Sequence, residues 1–241
     1  GITRKCSERA AELYRIFVQG ELVITNARTA EMVKLTENSC RDVQIALANE
    51  LSVICDKIDV DVWELISLAN RHPRINILQP GPGVGGHCIA VDPWFIVSKT
   101  PNEAKLIHTA RQVNDSKPSW VIDRIKSVIS DFLQANPSRR IHEITIACFG
   151  LTFKPDIDDL RESPGMYITR QLAEFHQGRV IAVEPNVLEL GGDEKFDLVS
   201  MEYAEAEADI GVLLVDHKEF KTIRPTIFIE KMVIDACGIT K

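Results

Sequence analysis

Beyond residue 136 the chain alternates two kinds of segment, and no other feature of the 241-residue sequence limits its fold as much. ANPSRR at 135–140 reads as a turn or linker. Short apolar runs then fall at EITIACFG, RVIAVEP, DIGVLLVD and KMVIDA, each about the length of one strand. Between them lie segments of helical spacing. MYITRQLAEF is introduced by Ser163 as a cap and Pro164 at the first helical position. MEYAEAEA is a second helix, and FKTIRPTIF reads as a turn and short helix. Strands alternating with helices imply a parallel sheet covered on both faces. Residues 138–241 are therefore expected to form a small Rossmann-like α/β domain of roughly 100 residues.

The first half has a different period. From 28 to 57 neither Gly nor Pro interrupts a helical pattern through Met32, Val33, Leu35, Val43, Ala46, Leu47, Leu51 and Ile54, with Asn26 or Thr29 to cap it. VDVWELISLANRH, closed by Pro73, is a second helix. AKLIHTARQVND and SWVIDRIKSVISDFL read as two more, after a glycine-rich break at 79–87. Residues 1–24 read as one helix, SERAAELYRIFV, and one short strand, GELVIT, without partners nearby.

Composition excludes several classes. Hydrophobic residues are 45% and charged residues 26%, which disfavours disorder. The net charge of -7 is wrong for neutralising a phosphate backbone, so no nucleic-acid partner is expected. No apolar run reaches the ~18 residues a membrane span needs, and GITRKCSERA is not a signal peptide. A cytoplasmic protein with no membrane partner is expected. The six cysteines form no CxxC pair, so no metal site is expected. Most should be reduced and buried.

Three stretches can carry chemistry. The first is Gln79-Pro80-Gly81-Pro82-Gly83-Val84-Gly85-Gly86-His87-Cys88. Gly81, Gly83 and Gly86 spell GxGxxG, but a dinucleotide loop must join a strand to a helix, and this one lies in a helical region. The bland reading is a tight turn. Cys88, beside His87 and four residues before Asp92, has the setting of a nucleophile rather than of core. The second is Lys34 and Asn38, one turn apart on one helix face; a solvated face is the alternative. The third is residues 149–164, leaving the carboxyl end of a strand, where ligands bind in open α/β sheets. Lys154, Arg161 and the free N–H groups of the following helix could meet phosphate there; ordinary ion pairs in a polar loop are the alternative.

At these three stretches, in order, the chain resembles the NAD-dependent nucleotide-sugar 6-dehydrogenases, whose best-known members act on UDP-glucose and GDP-mannose. GPGVGGHCIAVDPWFIV resembles the branch that oxidises UDP-N-acetylmannosamine. The resemblance implies a four-electron oxidation at the sugar C6, with Cys88 trapping the aldehyde as a thiohemiacetal and then a thioester. Lys34, Asn38 and Asp92 match the family's remaining catalytic residues: the lysine near the reacting oxygen, the asparagine that holds water and oxyanion, and the acid that orients them. Arg74, Gly83, Gly85, Gly86 and Lys154 match its substrate-binding positions, Arg74 in some cases across a subunit boundary. Arg161 matches an arginine that touches NAD.

The resemblance also implies an organisation. Residues 1–24 correspond to the remnant of an N-terminal NAD-binding domain, 25–115 to a helical central domain that pairs in a homodimer, 116–137 to a linking helix and 138–241 to a UDP-binding domain. Most of the NAD site would then lie outside this chain, which is expected to be a truncated form, inactive on its own. The closing strand carries Cys237 where many relatives have a basic residue, which puts one nucleotide contact in doubt. The product would feed bacterial surface polysaccharide. Two competing readings are a nucleotide-sugar-binding module without catalysis and a helical dimeriser. The second leaves the glycine–cysteine loop unexplained.

Overall fold

The computed structural model describes residues 1–222 and 231–241. Its first half is helical: α1 (Arg4–Tyr14), α2 (Ala27–Lys57), α3 (Val62–Ala69) and α4 (Asp92–Lys99). Asn26 caps α2, its side chain accepting from the Thr29 N–H, as the sequence allows. α4 is an element the sequence pattern missed; Pro93, which argues for a loop, sits in its first turn where a missing N–H costs nothing.

The next helix departs from expectation. In place of two amphipathic helices there is one, α5 (Lys105–Ala135), which runs through Pro118. An interior proline costs a helix ~3 kcal/mol. Contacts on both sides of it hold the helix together. Arg111 and Asn114 bond Asp42 of α2, and Lys117 bonds Ser52 of α2. Past the proline, Val121, Ile122, Ile125 and Ile129 enter the main apolar core.

After α5 come β1 (Thr145–Phe149), α6 (Pro164–Phe175), β2 (Arg179–Val183), β3 (Asp197–Leu198), α7 (Met201–Glu207), β4 (Ile210–Leu213) and β5 (Met232–Asp235). The sheet order is β3-β2-β1-β4-β5, and every pairing is parallel. The four strands and the helices at MYITRQLAEF and MEYAEAEA expected in this half are found, with Ser163 capping α6 and Pro164 opening it. β3 went unpredicted because two residues carry no period. The expected turn and short helix at FKTIRPTIF begins as a 3-10 turn at Phe220–Thr222, and its remainder lies outside the described residues. The strands alternate between two cores. Ile146, Cys148, Val180 and Ala182 face α5 and α6, while Ala147, Phe149, Ile181 and Val183 face α7 and Phe220.

GELVIT is not a strand. Residues 20–25 are irregular, with Val23 and Ile24 exposed, since no sheet edge among the described residues lies beside them. Among the described residues no helix is long and apolar enough to cross a membrane.

Candidate active site

The site forms where two loops meet. One is 79–91, between α3 and α4. The other is 150–163, leaving β1 at the switch point between β2 and β4, where the strand order reverses. The fit between them explains two glycines. A Cβ on Gly85 would lie 2.6 Å from the Glu162 carbonyl oxygen and 2.7 Å from Phe153 Cβ. Gly86 has φ +76° and faces the Phe153 ring, and its N–H donates to the Arg161 carbonyl at 3.3 Å. Gly83 packs between Pro118 and Pro164. Each of the three therefore faces the sheet domain on its Cβ side.

Asp92 is the hub. It is the first residue of α4, and its carboxylate is buried. Lys34 Nζ and Asn38 Nδ2, one turn apart on α2, both donate to its Oδ2. The Lys34–Asn38 face is thus open to solvent but anchored at Asp92. Burial pushes the Asp92 carboxyl up, but the bonds from Lys34 and Asn38 outweigh it and hold the group below its ordinary value. The bond to Asp92, with the charges of Asp92 and Cys88, raises the Lys34 ammonium above its own. Lys34 stays a half-exposed cation with free N–H bonds for a ligand.

Cys88 is exposed, one turn before Asp92, and its carbonyl accepts the Asp92 N–H at 2.8 Å. Its loop reaches the Arg161 carbonyl through the Gly86 N–H, and Lys34 is bonded to Asp92 one turn on. The six cysteines, all free, are less buried than expected. Only Cys55 and Cys148 are buried, Cys148 with its thiol pushed up to about 12 by burial. Cys6 and Cys40 lie exposed on α1 and α2.

The second loop brings Arg161 and Lys154. Arg161 is exposed and paired with Asp159, whose carboxyl the guanidinium holds at about 2. Lys154 is exposed, its Nζ 5.6 Å from the Phe153 ring centroid. The loop is pinned from below. Glu184 Oε2 accepts the Leu151 N–H at 2.7 Å, and His217 Nδ1 accepts the Asp156 N–H at 3.0 Å. Asp156 and Glu162 both adopt positive φ, so the loop is held in a costly shape. Glu184 and His217 escaped the sequence reading because only the fold brings them to this loop.

Arg74 is exposed on the segment after α3, and nothing in one chain draws it to the Asp92 cluster. Cys237 packs against the core beside Phe220; burial, then the charges of Asp235 and Asp216, keep its thiol neutral.

Comparison with known proteins places both halves of the chain in one family. The family model of the UDP-glucose/GDP-mannose dehydrogenase central domain matches residues 28–116, and that of the family's UDP binding domain matches 147–241. UDP-N-acetyl-D-mannosamine dehydrogenase of Yersinia pestis is 60% identical over 242 residues, covering 99% of this chain and 57% of that protein. The Escherichia coli (strain K12) enzyme of the same name is 58% identical, with the same coverage. This chain thus spans little more than half the length of these relatives. Among solved structures, the UDP-N-acetyl-mannosamine dehydrogenase of Staphylococcus aureus superposes with a TM-score of 0.82 at 44% identity, covering 100% of this chain and 55% of that one. The Pyrococcus horikoshii protein gives 0.84 at 36% identity, covering 100% and 56%. The chain belongs to the UDP-glucose/GDP-mannose dehydrogenase family, of which it carries the central and the UDP binding domains.

Proposed function

We propose that this chain supplies the reacting cysteine and the nucleotide-sugar site of an enzyme that oxidises UDP-N-acetyl-D-mannosamine at C6 to the uronate. The observation that carries this is the convergence of Lys34, Asn38 and Asp92 beside an exposed Cys88. Bound NAD would supply the oxidant, a hydride acceptor for each of the two oxidation levels. Arg161 is the residue of this chain assigned to it: an exposed guanidinium near Cys88 suits a dinucleotide phosphate.

The remaining chemistry falls to side chains. Cys88 Sγ adds to the C6 aldehyde carbon and holds that carbon as a thiohemiacetal, then as a thioester. Water displaces the thiolate and leaves the acid. Each addition builds negative charge on the C6 oxygen, and the Lys34 ammonium stands where it can meet that charge. Asn38 holds the water or the oxyanion. Asp92 fixes both donors and keeps Lys34 protonated. Lys154 takes the substrate's phosphates, and Gly83, Gly85 and Gly86, whose Cβ sides are filled by other elements, shape the loop that faces the substrate. Arg74 reaches the substrate of a second subunit. The partner is a second copy of this chain, set against the exposed apolar residues of α2, Met32, Val33, Leu47 and Ile54. The reaction belongs to the cytoplasm, where nucleotide sugars are handled.

Calorimetric titration with UDP-N-acetylmannosamine, UDP-glucose and NAD tests the binding half. Tighter binding of the N-acetylmannosamine nucleotide is expected. A folded dimer that binds no UDP-sugar would sink the reading. In the enzyme, Cys88→Ser should abolish acid formation while leaving UDP-sugar affinity within about threefold.

A further inference from the structure

Lys34, Asn38, Asp42, Asn49 and Ser52 all lie within a sector of roughly 80° on α2, at ~100° per residue. The first two belong to the site. The next members continue as a buried hydrogen-bond chain that ends at the glycine loop. Asn114 Nδ2, on α5, donates to the Asp42 main-chain carbonyl at 3.0 Å and to Asp42 Oδ1 at 2.8 Å. Asn114 Oδ1 accepts from Asn49 Nδ2 at 2.9 Å, and Asn49 Oδ1 accepts the Gly81 N–H at 2.9 Å. Asp42, Asn49 and Asn114 are all essentially inaccessible to solvent.

The direction of this chain is not free. A carbonyl oxygen only accepts, so the Asn114 amino group must face Asp42. That turns the Asn114 oxygen toward Asn49, whose amino group must answer it. The Asn49 oxygen is then left facing Gly81, whose N–H can only donate. Reversing either amide would oppose two donors or two acceptors in a site closed to water. Arg111 Nη1, donating to Asp42 Oδ1 at 2.5 Å, locks the far end.

We infer that Asn49 and Asn114 are positioning residues for the nucleophile, acting through Gly81. The inference rests on Cys88 being the nucleophile. From Gly81 to Cys88 the loop has four glycines and, among the described residues, makes one main-chain bond to the opposite loop, from Gly86. A segment so rich in glycine holds one shape only if its ends are fixed. Asn49 fixes the near end and α4 the far end. Loss of the near anchor lets the loop swing and carries Cys88 away from Lys34 and Arg161, the two cations that attract a thiolate there.

The test needs no turnover. The iodoacetamide alkylation rate of Cys88, normalised to the remote exposed Cys6, is followed by peptide mass spectrometry in this chain, with amide exchange read over residues 79–88. Asn49→Ala removes the acceptor for Gly81. It should slow Cys88 by about threefold or more and speed exchange of the Gly81 amide. Asn49→Asp keeps an acceptor oxygen but cannot donate to Asn114. It should lose stability as the alanine variant does, yet hold Cys88 within about twofold of the unaltered chain. If Asn49→Ala does not fold, Asn114→Ala takes its place, since it frees the Asn49 amide to turn away. Equal slowing in the aspartate and alanine variants, or an unchanged normalised rate in both, overturns the inference. So does a Gly81 amide that stays protected in the alanine variant. A Cys88 that reacts no faster in the unaltered folded chain than in denaturant removes the nucleophile reading itself, and this inference with it.

Discussion

The sheet of residues 145–235 buries Ile146, Ile181, Ile210 and Leu213 completely, whereas the face between α2 and α5 buries Asp42, Asn49, Arg111 and Asn114 to the same degree. The first core is non-directional. Apolar side chains of suitable volume can fill it in many ways. The second is directional, since each donor fixes where its acceptor stands. The helical region spends part of its apolar surface on exposed faces instead, with Met32, Leu47, Ile54 and Leu106 all exposed. Volume is what the sheet domain specifies; orientation is what the helical region specifies, and Cys88 sits on the oriented side.

Breaking the Arg111–Asp42 pair should give the largest effect. Arg111→Met leaves a buried carboxylate without its cation and should cost about 3–5 kcal/mol in chemical denaturation. Adding Asp42→Leu should recover most of that loss, because two matched apolar groups replace two charges. In the sheet domain, Leu172→Ala should cost about 2–5 kcal/mol, and no second change removing a partner should rescue it. A double variant of Arg111 and Asp42 as unstable as the single one would erase the contrast.

Lys117 sharpens it further. It is buried on α5, bonded to Ser52 and 3.8 Å from the Trp120 ring centroid. Burial, opposed by the charge of Asp56, pulls its amine down to about 7. The unfolded chain therefore holds a proton that the folded chain gives up between pH ~7 and ~10.4. Stability should rise with pH across that window, by up to about 1.4 kcal/mol per unit, and stay flat on either side. Lys117→Met should remove the slope and stabilise the chain at neutral pH. Denaturation series at pH 7, 8 and 9 read both. A slope that survives the substitution would show that Lys117 is solvated.

The smallest effect belongs to the helix end. Asn26→Ala removes the bond to the Thr29 N–H and should cost about 1 kcal/mol. No change in the Asp92 cluster is expected, because Lys34 lies two turns farther along α2. Thermal melts, with Cys88 alkylation as a control, would show any coupling between the two.

Much of this was legible in the sequence. The four long strands, the Ser163–Pro164 helix start and the Asn26 cap follow from period and local chemistry. Lys34, Asn38 and Asp92 were placed together by their match to a family pattern, and the fold brings them onto one oxygen. What failed, failed for want of tertiary information. Pro118 is a sound reason to end a helix, yet α5 continues because its first half is bonded to α2 and its second half is packed into the sheet's core. GELVIT has strand composition and no strand to pair with. Gly83, Gly85 and Gly86 invite a ligand reading, while their Cβ faces meet Phe153, Pro118 and Pro164 of other elements.

Local pattern thus determined the long helix of α2, the four longer strands and the Ser163–Pro164 helix start, and it set an exposed cysteine in a glycine loop before an acid. The tertiary structure alone decided which polar groups that loop leans on. Asn49 lies 32 residues before Gly81, and Asn114 lies 65 beyond Asn49. In sequence each is an ordinary polar residue on a helix. Only when α2 and α5 pack do their amides lose water, and a buried amide must then find a partner of the right polarity. That requirement, absent from the extended chain, gives the loop its direction.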